Sequence, residues 1–169
     1  MAHHTLLLLR HGIAEERRDG LEDGERALTP RGRSRTRAVL DRLVALGLGA
    51  ERLISSPLLR AVQTAEIAVE AGLAPALEIR AALAPGGDPR PCLPGWLEGD
   101  HGTSQPSPRR LLLVGHEPDL SHLAARLLAA PSGCLTLRKA GLLQLALPCL
   151  DPLNGGVLEL LLRPSALLG

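Results

Sequence analysis

The chain of 169 residues is long enough to bury a substantial core as one domain. Its formal net charge of +1 and its aromatic content of 1% exclude the basic surface and the stacking side chains that nucleic-acid-binding proteins use. Its three cysteines form no Cys-x-x-Cys pair, and its apolar segments are too short for a signal sequence or a membrane span. We therefore expect a single domain over residues 1–169 that is cytoplasmic, has no nucleic-acid or membrane partner and needs no cofactor.

An unbroken run of leucines at 6–9 ends at Arg10, His11 and Gly12. Such a run is typical of a strand buried on both faces of a parallel sheet, and ligands of open α/β sheets bind at the carboxyl ends of these strands. Arg10 offers a planar cation suited to phosphate, whereas a neutral His11 can act as a nucleophile. Gly12 lets the backbone pass close to a bound group.

The next elements follow from helix signals. A charged segment at 13–28 is predicted as a loop. Thr29 and Pro30 then suit the N-cap and first position of a helix that ends near Gly47. A short strand beginning at Arg52 leads into a second helix, for which Ser56 and Pro57 are the predicted cap and first position.

The second half of the chain continues the alternation of strands and helices. A short strand at 77–79 precedes a proline-rich segment at about 85–108, which is predicted as a loop. A further apolar strand at 111–114 runs into His116, and a helix is predicted over 118–128. The last predicted strands are at 135–137, 142–147 and 157–162. This order indicates a three-layer α/β/α sandwich with a mainly parallel central sheet.

Three predicted strand ends place polar side chains at one edge of the sheet. The first carries Arg10 and His11, the second Ser55, Ser56 and Arg60, and the third His116. Because Arg60 lies in the first turn of a helix, the macrodipole disfavours its charge unless an anion is shared there. One interpretation is therefore that these residues together bind an anion at this edge of the sheet.

Simpler interpretations remain open for single residues. Arg60 could pair with a nearby carboxylate, and His116 alone could be a polar strand terminus. The spacing of His116, Asp119 and His122 matches no recognised set of metal ligands, so we predict no metal.

The motifs, taken in order, resemble those of the histidine phosphatase superfamily, and within it the small branch typified by the SixA phosphohistidine phosphatases. The resemblance is carried by Leu-Arg-His-Gly-Ile-Ala at 9–14, Leu-Thr-Pro-Arg-Gly at 28–32, Ser-Ser-Pro-Leu-Leu-Arg-Ala-Val-Gln-Thr-Ala at 55–65, Leu-Ala-Pro-Gly-Gly-Asp at 83–88 and Val-Gly-His-Glu-Pro-Asp-Leu-Ser at 114–121. It implies a phosphoglycerate mutase-like fold without a helical cap.

The resemblance also implies roles for particular residues. His11 would be the nucleophile that accepts the phosphoryl group, and Arg10, Arg60 and His116 would complete a pocket for phosphate, sulfate or vanadate. A neutral His11 and a protonated His116 would serve these two roles. Such a pocket needs no metal, because positioned cations stabilise the transferring phosphoryl group.

The sequence offers no clear carboxylic acid for this chemistry. The candidates Glu15, Glu16, Asp23 and Asp88 each fit a solvated loop charge better. A missing acid favours a phosphoramidate, so the leading hypothesis is a phosphatase acting on a phosphohistidine-bearing protein domain in signalling or phosphotransfer. The alternatives are a small-molecule phosphomonoesterase that uses the same pocket and a phosphate-binding module without turnover.

Overall fold

The computed structural model describes residues 3–98, 110–150 and 155–169. Its strands are β1 (His4–Arg10), β2 (Arg52–Ser55), β3 (Leu77–Ile79), β4 (Arg110–Gly115), β5 (Leu142–Leu147) and β6 (Val157–Leu162). Its α-helices are α1 (Pro30–Ala45), α2 (Leu59–Glu70), α3 (Leu93–Glu98), α4 (Asp119–Leu127) and α5 (Pro164–Leu168). Short 3-10 helices lie at Asp23–Glu25, Ala81–Leu83 and Arg90–Cys92.

The six strands form one sheet in the order β3-β2-β4-β1-β5-β6. The first four of these run parallel, and β5 is antiparallel to both β1 and β6. The mainly parallel sheet predicted from the sequence is thereby confirmed. Because β1 and β4 are central and parallel, their carboxyl ends, Arg10 and Gly115, lie side by side.

Helices cover both faces of this sheet, and the alternation of side chains along β1 explains why. Leu7 and Leu9 pack with apolar residues of α1 and α2, whereas Leu6 and Leu8 pack with those of α3 and α4. All four leucines are buried. A continuous apolar strand thus supplies two separate cores, as a buried parallel strand requires.

The predicted cap of α1 is confirmed. Thr29 Oγ1 accepts a hydrogen bond from the Gly32 amide at 2.9 Å, and Pro30 occupies the first helical position. Glycine is needed at two contacts near this helix end, since a Cβ at Gly12 would overlap Thr36 Oγ1 and one at Gly32 would overlap the Ile13 carbonyl. These contacts hold the segment after β1 against α1.

The predicted start of α2 is wrong by two residues. The helix begins at Leu59 rather than at Pro57, because the Ser56 hydroxyl lies 2.7 Å from His116 Nε2 and makes only a long contact, 3.3 Å, to the Leu58 amide. The cap that the sequence suggested is therefore a contact within the polar edge of the sheet.

The predicted loop at 85–108 is wrong for residues 90–98, which are helical. Pro91 and Pro94 lie in the first turns of the Arg90–Cys92 3-10 helix and of α3. Backbone amides in a first turn have no partner within the helix, so proline breaks no helical hydrogen bond there. Leu93, Trp96 and Leu97 are buried at helical spacing and anchor this segment to the core. Residues 99–108 of the prediction lie outside the described residues.

Two further differences concern the end of the chain. The predicted strand at 135–137 is wrong, because the Leu137 amide donates to Glu117 Oε1 and its carbonyl accepts from Arg10, so its polar groups are not available to the sheet. Helix α5 was not predicted. No helix in the part of the chain that the structure describes is long and apolar enough to cross a membrane.

Candidate phosphate site

The imidazole of His11 is held in one tautomer at the carboxyl end of β1. Its Nδ1 donates to the Gly12 carbonyl at 2.8 Å, and its Nε2 accepts a hydrogen bond from Arg60 Nε at 3.3 Å. Since a carbonyl can only accept and a guanidinium can only donate, the lone pair of the ring lies on Nε2. Nε2 is thus the basic atom that faces the site.

Arg60 comes from the first turn of α2 and has three sets of contacts. Besides His11, its NH1 donates to the Asp23 carbonyl at 2.6 Å and its NH2 donates to Asp23 Oδ2 at 2.9 Å. The side chain is only 6% exposed. The carboxylate partner considered for Arg60 is thus confirmed as Asp23, and a shared anion at Arg60 stays a prediction.

His116 follows β4 and lies beside His11, with 5.1 Å between the ring centroids. Its Nε2 contacts the Ser56 hydroxyl. Arg10 completes the group from the last position of β1, and its NH1 donates to the Leu137 carbonyl at 2.9 Å. His116 Nδ1 and Arg10 Nε are buried without a hydrogen-bond partner among the described residues, which costs free energy unless a ligand pairs with them.

Comparison with known proteins gives this site a context. A family model described as histidine phosphatase superfamily (branch 1) matches residues 6–84, which include Arg10, His11 and Arg60. The chain belongs to the histidine phosphatase superfamily. It is also 45% identical over 141 residues to an uncharacterized protein of Picosynechococcus sp. (strain ATCC 27264 / PCC 7002 / PR-6), a match that covers 83% of each chain.

Solved structures of phosphatases share the fold. The protein histidine phosphatase SixA complexed with tungstate has a TM-score of 0.81 and 24% identity, over 96% of this chain and 99% of that one. A mycobacterial glucosyl-3-phosphoglycerate phosphatase with VO3 has a TM-score of 0.69 and 20% identity, over 93% and 98% of the two chains. The fold class is therefore that of SixA, and these two phosphatases were solved with the oxyanions tungstate and VO3.

Burial sets the protonation of both histidines. It lowers the pKa of His11 to about 3, and it lowers the pKa of His116 to about 4 with further help from the charge of Arg60. Both rings are therefore neutral at neutral pH. This agrees with the neutral His11 expected from the sequence, whereas a protonated His116 that holds a phosphoryl oxygen stays a prediction.

The lowered pKa values predict how stability depends on pH. Because an unfolded histidine takes up a proton near pH 6.5 and the folded one does not, each ring makes folding less favourable as pH falls from about 6 to about 4, by about 1.4 kcal/mol per pH unit. His116→Gln should reduce this slope in urea unfolding between pH 4.5 and 6.5. His122→Gln, which removes an exposed histidine of α4, is the control, and its curve should follow that of the parent.

The candidate acids are placed apart from the two histidines, with one exception. Glu15 accepts from the Ala27 amide, Asp88 is paired with Arg90, and Glu16 is exposed. Asp23 contacts the site through Arg60. Hydrogen bonds from Arg26 and from Arg60 hold the pKa of the Asp23 carboxyl below its ordinary value, so it is ionised. No described carboxylate lies within hydrogen-bond distance of His11 or His116, and no described cluster of His, Cys, Asp or Glu could hold a metal ion.

Sequence reasoning missed two residues that hold the site in place. Thr64 Oγ1 accepts from the Gly12 amide at 3.1 Å and donates to the Arg60 carbonyl at 2.7 Å, which ties the His11 segment to α2. Thr64 lies within the motif at 55–65, but a single threonine in a helix carries no sign of such a contact. Glu117 fixes the Leu137 backbone that holds Arg10.

Proposed function

We propose that this protein is a metal-independent phosphatase that removes the phosphoryl group from phosphohistidine in a signalling or phosphotransfer protein. The reaction proceeds through a phosphohistidine intermediate on His11. The observation that carries the proposal is the tautomer of His11, whose Nε2 lone pair faces the buried cation of Arg60 in a ring that lies beside His116.

In the first step, His11 Nε2 attacks phosphorus and the bond from phosphorus to the substrate nitrogen breaks. A neutral imidazole is required for this attack, and burial keeps His11 neutral. The Gly12 carbonyl stabilises the positive charge that develops on the ring, because it accepts the Nδ1 proton. In the second step water attacks phosphorus, the bond to His11 breaks and phosphate leaves.

Arg10, Arg60 and His116 serve as the phosphate-binding groups in both steps. Arg10 Nε and His116 Nδ1 have no hydrogen-bond partner among the described residues. Phosphoryl oxygens accept hydrogen bonds from them. The negative charge of the bound group opposes the burial and the Arg60 charge that lower the pKa of His116, so that His116 takes up a proton and donates a hydrogen bond to a phosphoryl oxygen. Charge spread over the phosphoryl oxygens is thus matched without a metal.

The substrate class follows from the leaving group. An alkoxide needs a carboxylic acid to protonate it, whereas the imidazole of a phosphohistidine leaves as a neutral base once it takes a proton from solvent. Asp23, the one candidate acid that contacts Arg60, is ionised and hydrogen-bonded to Arg60 and Arg26. The open edge of the sheet also suits a phosphorylated side chain on a protein surface.

A side-by-side assay of phosphohistidine and alkyl phosphate esters tests the proposal. We expect kcat/KM for phosphohistidine to exceed that for the ester by ~10²-fold or more, the usual contribution of the absent acid. Turnover should survive a strong chelator. Equal rates on both substrates would instead favour the small-molecule phosphomonoesterase, and loss of activity with the chelator, restored by a metal, would contradict metal independence.

A further inference from the structure

A groove of about 610 Å³ adjoins the candidate phosphate site and is lined by positive charge. Its cationic side chains come from α1, from the segment before β5 and from the residue between β6 and α5; they are Arg31, Arg35, Arg138, Lys139 and Arg163. Arg10 lines the same groove, so the groove and the phosphate site share a side chain. No aspartate or glutamate is among the described residues that line it.

These cations have no partner of opposite charge within the described part of the chain. Other arginines of the protein do: Arg37 pairs with Asp41, Arg52 with Glu78 and Arg90 with Asp88. The chain as a whole has a formal net charge of only +1. Six cations, counting Arg10, thus line one groove beside the phosphate site without an acidic side chain among the described residues of its lining.

The start of α1 adds to this positive field. Arg31 occupies the second position of the helix, and the first turn carries no acidic residue. The macrodipole disfavours a cation there unless an anion is close. A surface that keeps such a cation fits an anionic partner.

We infer that this groove docks an acidic face of the phosphorylated protein, formed by aspartate and glutamate side chains that flank its phosphohistidine. The inference rests on the proposed function and names a property of the partner. The phosphorylated side chain enters the site at Arg10 and His11, while the flanking carboxylates lie along Arg31, Arg35 and Arg163. Complementary charge of this kind raises the rate of association and fixes orientation.

Exposure of the cations favours protein carboxylates over a second phosphate of a small substrate. Arg31, Arg138, Lys139 and Arg163 are all exposed, whereas the arginine of the phosphate site, Arg60, is buried and held by fixed hydrogen bonds. A buried, fixed fork binds one phosphate tightly. Several exposed, unpaired cations spread along a groove instead match several carboxylates spread over a surface.

Three synthetic peptides test the inference, each with one phosphohistidine flanked by three glutamates, three glutamines or three lysines on each side. At low ionic strength we expect kcat/KM for the glutamate peptide to exceed that for the glutamine peptide by about tenfold, with the lysine peptide slowest. The difference should largely disappear in 1 M salt, where exposed charges more than ~3 Å apart are largely screened from each other. The double variant Arg31→Glu/Arg35→Glu should reverse the order.

The matched control is Arg33→Glu, which changes an exposed arginine of the same helix that does not line the groove. Its order of peptides should equal that of the parent. Equal rates on all three peptides, or the same order in the double variant, would overturn the inference and leave the proposed function intact. Hydrolysis of simple esters without hydrolysis of any peptide would overturn the proposed function.

A second measurement tests the groove independently of the substrate. Poly-glutamate should inhibit hydrolysis of a small chromogenic phosphate ester by the parent and by Arg33→Glu, and should do so at least tenfold more weakly in Arg31→Glu/Arg35→Glu. Equal inhibition of all three proteins would overturn the groove as the docking surface. Circular dichroism melts of the variants separate these outcomes from a loss of folding.

Discussion

Replacement of His11 by alanine is expected to lower kcat/KM by ~10⁴-fold or more, because the variant loses the nucleophile and the phosphoenzyme route with it. The alanine variant should still fold, since His11 forms no part of the apolar clusters on either face of the sheet. His122→Ala removes an exposed histidine of α4 and is the control. Retained activity in the His11 variant would contradict the assignment.

The intermediate itself can be located by peptide mapping. Brief reaction with substrate followed by an alkaline quench should trap an acid-labile phosphoryl group. Trypsin cleaves after Arg10 and Arg17 and so releases residues 11–17, in which His11 is the only histidine. His116 lies in a different peptide, 111–126. A label on 111–126 instead of 11–17 would show that His11 is not the nucleophile.

The sequence predicted the sheet and the proximity of four candidate site residues because both depend on local signals. The run of leucines at 6–9 can be satisfied only by burial on both faces, and such strands place whatever follows them at one edge. Arg10, His11, Arg60 and His116 follow or flank strand ends, so their meeting requires only that the strands be parallel neighbours. The order of β2, β4 and β1 provides this.

The errors concern residues whose contacts are distant in sequence. Asp23 and Arg60 are separated by 37 positions, and no local pattern distinguishes Asp23 from the neighbouring loop carboxylates Glu15 and Glu16. The backbone of Leu137 is similarly used by Glu117 and Arg10 rather than by a strand. The prolines at 85–108 predict a loop because proline commonly interrupts helices. Pro91 and Pro94, however, lie in first turns of helices, where proline is tolerated.

Substitution of Arg60 by alanine is expected to cost ~10²- to 10³-fold in kcat, about 2.7–4 kcal/mol, which is the usual effect of removing one preorganised donor to a developing negative charge. Arg60→Lys should recover only part of this loss. A lysine keeps the charge, but its single ammonium group cannot reach His11 Nε2 and both acceptors of Asp23, which the guanidinium contacts together. Arg37→Ala, which removes an ion-paired arginine of α1, is the control and should have parental kinetics.

Asp23→Asn distinguishes a phosphate-binding Arg60 from one that only forms an ion pair. The variant removes the carboxylate charge, but the Asp23 main-chain carbonyl still accepts from Arg60 NH1, so the guanidinium stays in place. If Arg60 acts on the phosphoryl group, Asp23→Asn should change kcat by less than about tenfold while Arg60→Ala loses ~10²-fold or more. Equal losses in the two variants would mean that the ion pair, rather than contact with phosphate, is what activity requires. A structure with bound vanadate gives an independent check, because the Arg60 guanidinium should then donate directly to a vanadate oxygen.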